Sequence, residues 1–329
     1  MILEKQEYPL FAQKWWWDAV AKDSYQTIEI FQAGELIAYW PLYKTKRFRL
    51  VNLYAQAPLT AHTGPYLRSP KESKESKESK ESKAVVSTFN INSTNNHNYK
   101  QEYLSLLIDQ LPKGNIDISI SPGLYEDSFF RKKGFTIEHK LTYQISDLTN
   151  LEKVFSNIKS YQQRQIKKAE KQLKLVENPN IEDLIILQQE TFDRQKRKNP
   201  VSAQTIRNLY TALLEHKAGK LLALADGKGQ ILACGLFVYD SMRCYSLIPA
   251  YKKTEVATGA GSLLQWEGIK FASQVSSIFD FEGSSIESIA HFNRSFGAEP
   301  LVFYRIYRHS HCYQFFNRMN QIRSLIRLR

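Results

Sequence analysis

One pattern of elements occurs twice in this chain. Residues 116–123, IDISISPG, read as a strand and a turn, and are followed by Phe129, then Gly134, then a strand containing Tyr143. Residues 278–284, IFDFEGS, are followed by Phe292, Gly297 and a strand containing Tyr304, with the same five-position step from phenylalanine to glycine. Both copies read as strand, turn, short helix, glycine stop, strand. Phenylalanine and glycine are common enough to coincide by chance, but agreement in element order favours duplication. A chain of 329 residues is also long enough for about two domains.

The elements around the two copies follow one plan. A helix over Leu10 to Val20, carrying Trp15, Trp16 and Trp17, leads to a hairpin of strands Thr27 to Phe31 and Leu36 to Lys44 across Ala33-Gly34-Glu35. Helices near Tyr99 to Leu111 and Glu126 to Lys132 alternate with strands Asp117 to Ser121 and Thr136 to Ile145. The plan restarts at Leu151, with helices over Ser156 to Gln172, Ile181 to Arg194 and Ala203 to Lys217. Strands Lys220 to Ala225, Ile231 to Tyr239 and Arg243 to Leu247 follow. Next come a helix Ser262 to Ser273, a strand Ser277 to Phe281, a helix Ile286 to Arg294 and a strand Leu301 to Tyr307. The expected fold class is therefore α/β (α+β), with one domain over 1–150 and a second over 151–329.

The run SPKESKESKESKESK, Ser69 to Lys83, repeats Lys, Glu and Ser without an apolar residue and leads into an Asn/Ser/Thr-rich stretch through Asn98. It is expected to be a disordered, charge-balanced insertion at about 69–98.

Composition restricts the function classes. Apolar residues make up 43% of the chain, which argues against wholesale disorder, and no apolar run is long enough for a membrane span. The start MILEKQEYPLF lacks a signal-peptide core, so a cytoplasmic protein is expected. Cys234, Cys244 and Cys312 lack the spacing of a disulfide framework or a zinc site, so no metal is expected. A net charge of +12 suits an anionic partner without choosing one. The basic tail NRMNQIRSLIRLR fits either a packed last helix or peripheral contact with an anionic membrane.

Three groups of residues could carry chemistry. Thr258, Gly259, Ala260, Gly261 and Ser262 stand just before an apolar-periodic helix. Glycines there admit a phosphate, and a helix N-terminus supplies N–H groups and positive dipole. The same residues also read as a flexible helix start capped by Ser262, and they match neither the Walker nor the dinucleotide pattern. Asp280, Glu282, Gly283, Ser284 and Ser285 cluster at a strand end where α/β sheets place ligand groups. Asp280 between two phenylalanines is either a desolvated proton acceptor or a partner for turn amides. Tyr161, Arg164 and Lys168 share one helical face, which is either an anion clamp or simply solvated. His291 and Tyr304 are further candidates for proton relay, packing being the bland alternative.

Taken together, SYQQRQIKKAEK, the glycine loop ahead of LLQWEGIKFA, FDFEGS and FNRSFGA resemble the Fem-like branch of the GNAT acyltransferase superfamily over most of residues 100–329. The resemblance implies two tandem GNAT-like domains, each a mixed sheet flanked by helices. It implies a donor site in the C-terminal copy and an acceptor amine between the domains. For ordinary members the donor is acetyl-CoA or another acyl-CoA, with its pyrophosphate on Thr258 to Ser262. Peptidoglycan-building members use aminoacyl-tRNA and carry a lysine after the helix phenylalanine, where this chain has Asn293, still able to donate a hydrogen bond. The expected reaction is direct transfer to an amine, with Asp280, Glu282 and Tyr304 as catalytic candidates and Tyr161, Arg164, Lys168 and Asn293 on the acceptor. The acceptor is a small molecule such as an amino sugar or amino acid, or a cell-envelope precursor. A tRNA-dependent ligase and a non-catalytic anion-binding module are the competing readings.

Overall fold

The computed structural model describes residues 9–48, 50–67, 97–121, 127–253, 259–283 and 286–326. The expected insertion at 69–98 lies almost wholly outside them. In chain order the elements are α1 (Lys14–Val20), β1 (Tyr25–Gln32), β2 (Glu35–Arg47), β3 (Val51–Ala55), β4 (Tyr66–Leu67), α2 (His97–Asp109), β5 (Asn115–Ile120), α3 (Asp127–Lys132) and β6 (Thr136–Ile145). The second half adds α4 (Leu151–Asn157), α5 (Ser160–Glu170), β7 (Lys174–Leu175), α6 (Ile181–Arg194), α7 (Ala203–Glu215), β8 (Gly219–Ala225), β9 (Ile231–Tyr239) and β10 (Arg243–Tyr251). It ends with α8 (Ala260–Val275), β11 (Ile278–Asp280), α9 (Glu287–Ser295), β12 (Glu299–Arg308) and α10 (His311–Ile326).

Both repeat glycines stop their helices in the left-handed conformation, Gly134 and Gly297 each at φ 76°. The β1–β2 turn also forms at the expected place, with Ala33 and Gly34 at φ 50° and 81°, the two positive values of a hairpin turn that follows strand twist. The single helix read over Ser156 to Gln172 is instead α4 and α5. Ile158 and Lys159 between them are extended, and the Lys159 N–H donates to Ser295 O at 2.9 Å. Strands β3, β4 and β7 carried no expectation, and β10 runs four residues beyond the strand end read at Leu247.

The chain divides into two compact units that are not its consecutive halves. The first unit comprises Glu7–Trp17, Ala21–His139 and Phe303–Arg329, and the second contains Asp18–Val20 and Lys140–Val302. The cut at residue 150 therefore does not describe them. In the first unit the strands run β1-β2-β3-β5-β12, with β4 on β2. In the second they run β6-β11-β10-β9-β8-β7. Each contains a parallel pair, β3 with β5 and β10 with β11, joined through a helix as a parallel connection requires. Each pair is then flanked by an antiparallel strand from the other half of the sequence: β12 on β5, with Tyr304 opposite Ile120, and β6 on β11, with Gln144 opposite Asp280.

Two apolar cores follow. Trp40, Leu107, Ile116, Ile118, Phe130 and Ile306 are buried together in the first unit, and Ile166, Phe237, Leu264, Ile269, Phe279 and Phe296 in the second. Trp16 and Trp17 are fully buried, their ring N–H groups donating to Thr60 Oγ1 at 3.0 Å and Phe11 O at 2.8 Å. They are packing residues.

Charge fastens β12 to the first unit. Arg305 Nε and Nη2 donate to the two oxygens of Asp117 at 2.6 and 2.7 Å, and Nη1 to Glu138 at 2.8 Å. His309 Nε2 lies 3.3 Å from Asp117. Burial pushes the Asp117 carboxyl up, but hydrogen bonds from His309 and Arg305 and the Arg305 charge outweigh it and hold the carboxyl below its ordinary value. A depressed carboxylate stabilises the fold above its unfolded pKa, and that contribution disappears as pH falls through the folded value. Asp117→Asn should therefore lower unfolding free energy by about 1–3 kcal/mol at neutral pH, less than for a fully buried pair because Arg305 is partly solvated. It should also reduce the stability lost in acid below about pH 4, as read from denaturant titrations across that range.

Candidate active site in the second unit

Arg243, Asp280 and Glu282 meet at the end of β11. Asp280 is 3% exposed, yet its oxygens are fully engaged. Thr142 Oγ1 donates to Oδ1 at 2.5 Å, the Glu282 N–H to the same oxygen at 2.9 Å, and Arg243 Nη1 to Oδ2 at 2.6 Å. Arg243 also donates to Gln144 Oε1 at 2.9 Å. Asp280 thus satisfies a turn amide and a buried guanidinium, the second of the two roles its sequence context allowed.

Glu282 behaves differently. Its backbone is left-handed at φ 60°, a conformation that costs a non-glycine residue and clusters at functional sites. Its Oε1 is buried without a hydrogen-bond partner. Burial, with Asp280 nearby, pushes the carboxyl up to about 8. This is the range in which a carboxyl both holds and accepts a proton near neutral pH.

The parallel ladder of β10 and β11 is recorded from Arg243↔Ile278 to Tyr245↔Asp280. The ladder ends there, and two residues on in β10 Leu247 is the extra residue of a β-bulge, where the register to β9 shifts between Ser246 and Ile248. A bulge leaves a residue without a ladder partner and is common beside active sites. Beside it, Gln265 Nε2 donates to Ser246 Oγ at 2.9 Å while Gln265 Oε1 is buried without a partner. Asn293 on α9, 4% exposed, likewise has an unpartnered Nδ2. Buried polar groups are rarely left unpaired, so each of these atoms is open to a bound water or a ligand.

The glycine loop has a packing explanation. Thr258, like Ser284 and Ser285, lies outside the described residues. Gly259 is the N-cap of α8 at φ 87°, and a Cβ on it would stand 2.6 Å from Gln165 O of α5. A Cβ on Gly261 would meet the Tyr251 ring at 3.0 Å. Ala260 is buried. Ser262 is not the cap; its Oγ accepts from Gln162 Nε2 at 2.6 Å. Close approach of α5 and Tyr251 therefore already requires these glycines. The same packing fixes the N-terminus of α8 beside the far end of β10.

On α5, Gln162, Ile166 and Ala169 face inward, leaving Tyr161, Arg164 and Lys168 exposed as their spacing implied. Tyr161 stacks on His291 of α9, centroids 6.4 Å apart and planes 17° off parallel. Tyr304 belongs to the first unit, where it packs half-buried against the core and its ring meets His139 at 5.2 Å. Sequence reasoning missed Arg243, Gln265 and the Leu247 bulge. A single arginine opening a strand and a glutamine inside an apolar helix carry no motif. Cys234 and Cys244 are buried, and desolvation pushes both thiols up, Cys234 to about 12. Neither is a ready nucleophile. Among the described residues, no group of His, Cys, Asp and Glu could hold a metal ion.

Residues 157–283, which include Arg243, Gln265, Asp280 and Glu282 but not Thr142, Gln144 or Asn293, match the family model Acetyltransferase (GNAT) domain. The fold is similar to that of the crystal structure of FemX, at TM-score 0.63 and 12% identity over 90% of this chain and 91% of that one. Residues 157–283 are thus a GNAT domain. The fold is also similar to that of a conserved protein of unknown function from Bacteroides thetaiotaomicron, at TM-score 0.53 and 11% identity over 91% and 90% of the two chains. A third similar structure is the C-terminal domain (DUF2156) of a protein assigned as a lysylphosphatidylglycerol synthetase from Agrobacterium fabrum, at TM-score 0.52 and 8% identity over 92% and 90%. No curated protein matches the chain.

The raised Glu282 carboxyl has a thermodynamic signature independent of any substrate. A carboxyl whose folded pKa lies above its unfolded value stabilises only while protonated, so its contribution is lost as pH rises toward the folded value. The protein should lose stability between about pH 4.5 and 8, and Glu282→Gln should flatten that decline. Melting temperature against pH for the two proteins measures the effect.

Proposed function

We propose that the chain catalyses N-acylation, transferring an acyl group from acetyl-CoA or another acyl-CoA to the amine of an amino sugar or cell-envelope precursor in the cytosol. The observation that carries this reading is Glu282, whose carboxyl has one buried oxygen without a partner and a pKa raised to about 8, just past the end of the parallel ladder of β10 and β11. An extended thioester lying where β10 and β11 diverge would set its carbonyl against the bulge. Its anionic end would point toward the N-terminus of α8, where backbone N–H groups and the helix dipole favour phosphate.

The amine, once neutral, attacks the thioester carbonyl; its C–N bond forms, the C–S bond breaks, and the thiolate leaves. Glu282 accepts the proton shed by the amine, and the thiolate is protonated in turn. Backbone N–H at the bulge and Asn293 Nδ2 are the candidate donors to the carbonyl oxygen. Asp280 holds Arg243 and the Glu282 amide and so orients the base. Tyr161, Arg164 and Lys168 on the exposed face of α5 would meet an anionic part of the acceptor.

The donor belongs in the second unit because the corresponding region of the first is filled by its own chain. Beyond Ala55, Gln56 Oε1 accepts from the Ser119 N–H at 2.8 Å. The loop after it bonds the end of β5, Thr63 N–H to Ser119 O at 3.0 Å and Ser121 N–H to Gly64 O at 2.9 Å. In the sequence, the stretch ahead of the crossover helix, which holds the glycine loop in the second half, is in the first half the Lys-Glu-Ser repeat and the Asn/Ser/Thr-rich run after it.

One observation favours an aminoacyl-tRNA donor instead: Arg164, Lys167, Lys168 and Lys171 are all exposed along one short stretch. The asparagine at 293 counts against it. Release of free thiol from acetyl-CoA with a panel of amino sugars and amino acids separates the readings. Turnover that Glu282→Gln lowers by about 10²-fold or more, with the KM for acyl-CoA unchanged, supports the proposal. In the wild type, kcat should rise with pH toward about 8. No thiol release, with tRNA binding that weakens steeply with salt, would replace the first reading with the second.

A further inference from the structure

The surface around α10 has a character that acyl transfer does not require. No acidic residue follows Glu299, and none lies between Glu35 and Glu72. These two acid-free stretches are far apart in sequence, yet Phe48 brings them together in the first unit, its ring 5.7 Å from Tyr313 and 5.8 Å from Phe316 of α10. Around that contact the apolar side chains point outward. Phe315 is 61% exposed, Met319 39% and Leu50 77%, with Phe315 and Met319 four apart and so on one helical face. Lys44, Lys46, Arg47 and Arg318 are exposed among them, and the sequence continues with Arg323, Arg327 and Arg329.

Not every cation here is available. Arg305 is held by Asp117 and Glu138, and Arg308 donates to Pro112 O and Lys133 O. The exposed set is therefore Lys44, Lys46, Arg47 and Arg318, interleaved with Leu50, Phe315 and Met319. Exposed aromatic and aliphatic groups within a cationic field fit a surface that is both negatively charged and apolar just below its charge. A nucleic acid offers the charge without the apolar layer. A second copy of this face would set like charges against one another.

We propose that this face, α10 with the β2–β3 turn, docks the protein onto an anionic lipid surface, Phe315, Met319 and Leu50 entering the headgroup boundary and the cations lying over the lipid phosphates. Among the described residues no helix is long and apolar enough to cross a membrane, and the contact proposed is a peripheral one. Docking would bring the enzyme to an acceptor carried on a lipid, although the proposal stands without that assignment.

The test uses the full chain and two kinds of vesicle, phosphatidylcholine alone and phosphatidylcholine mixed with phosphatidylglycerol, in a sedimentation assay at low and high salt. Binding is expected only to the anionic vesicles, and should weaken as salt rises. Phe315→Ser with Met319→Ser, which leaves net charge unchanged, should lower the affinity at least about tenfold. Arg47→Gln with Arg318→Gln should lower it about fivefold for each charge removed. All four side chains are exposed, so circular dichroism and acyl transfer to a soluble amine should be unchanged. In Phe315→Trp, emission should shift to the blue when anionic vesicles are added. Equal binding to both vesicles, or retention of binding by the serine variant, would overturn the proposal. So would vesicles being ignored while the same face binds RNA, or while it forms a dimer that the serine variant dissolves.

Discussion

A parallel strand pair with one open edge cannot finish a sheet, and both units of this chain meet that constraint with a strand from elsewhere in the sequence. β5 receives β12 and β11 receives β6. Backbone N–H and C=O groups on those edges would otherwise be buried without partners. The exchange explains why the strongest charge cluster of the first unit, Asp117 with Arg305, Glu138 and His309, sits on the borrowed strand: it holds in register an element that local sequence does not tie down. It also explains why β6 reaches the Asp280–Arg243 cluster at all. Thr142 and Gln144, which hold Asp280 and Arg243, lie on a strand that a linear division of the chain would give to the other domain.

At the site, two carboxyls two residues apart have been driven to opposite roles by their surroundings. Asp280 receives a hydroxyl, an amide and a guanidinium, and its charge is spent on them. Glu282 turns away on a left-handed backbone into a region where one oxygen finds nothing. The backbone strain and the desolvation both oppose folding, and such costs persist where surrounding structure over-determines them. Here the buried Asp280–Arg243 pair does so, since it fixes the amide of Glu282 itself.

Much of this architecture was legible in the residues. The repeat of phenylalanine and glycine marked two helix stops that share one φ, and the Ala33-Gly34 turn and the inward and outward faces of α5 followed from spacing alone. What was not legible depended on long-range pairing. Nothing in Thr136 to Ile145 says that the strand belongs beside β11, because strand partners are selected by topology and not by local composition. The glycines ahead of α8 suit either a phosphate or a helix start in sequence, and the demand that Gln165 of another helix places on Gly259 is visible only in the fold. The chemical reading of Glu282 was available only as a position at a strand end. Its free oxygen and raised pKa are products of burial, which no motif encodes.

The exchanged strands also set an order on biosynthesis. A nascent chain that has completed β5 already presents Ile116, Ile118 and Ile120 with an unpaired edge, but the strand that covers it ends at Arg308. At ordinary translation rates the covering strand arrives roughly 10 to 40 seconds later. For that interval the first unit is an incomplete sheet with an edge open to any passing strand, the kind of species that chaperones shield. The same topology that lets one half of the chain furnish the other half's site thus makes the protein dependent on being finished before it can be folded.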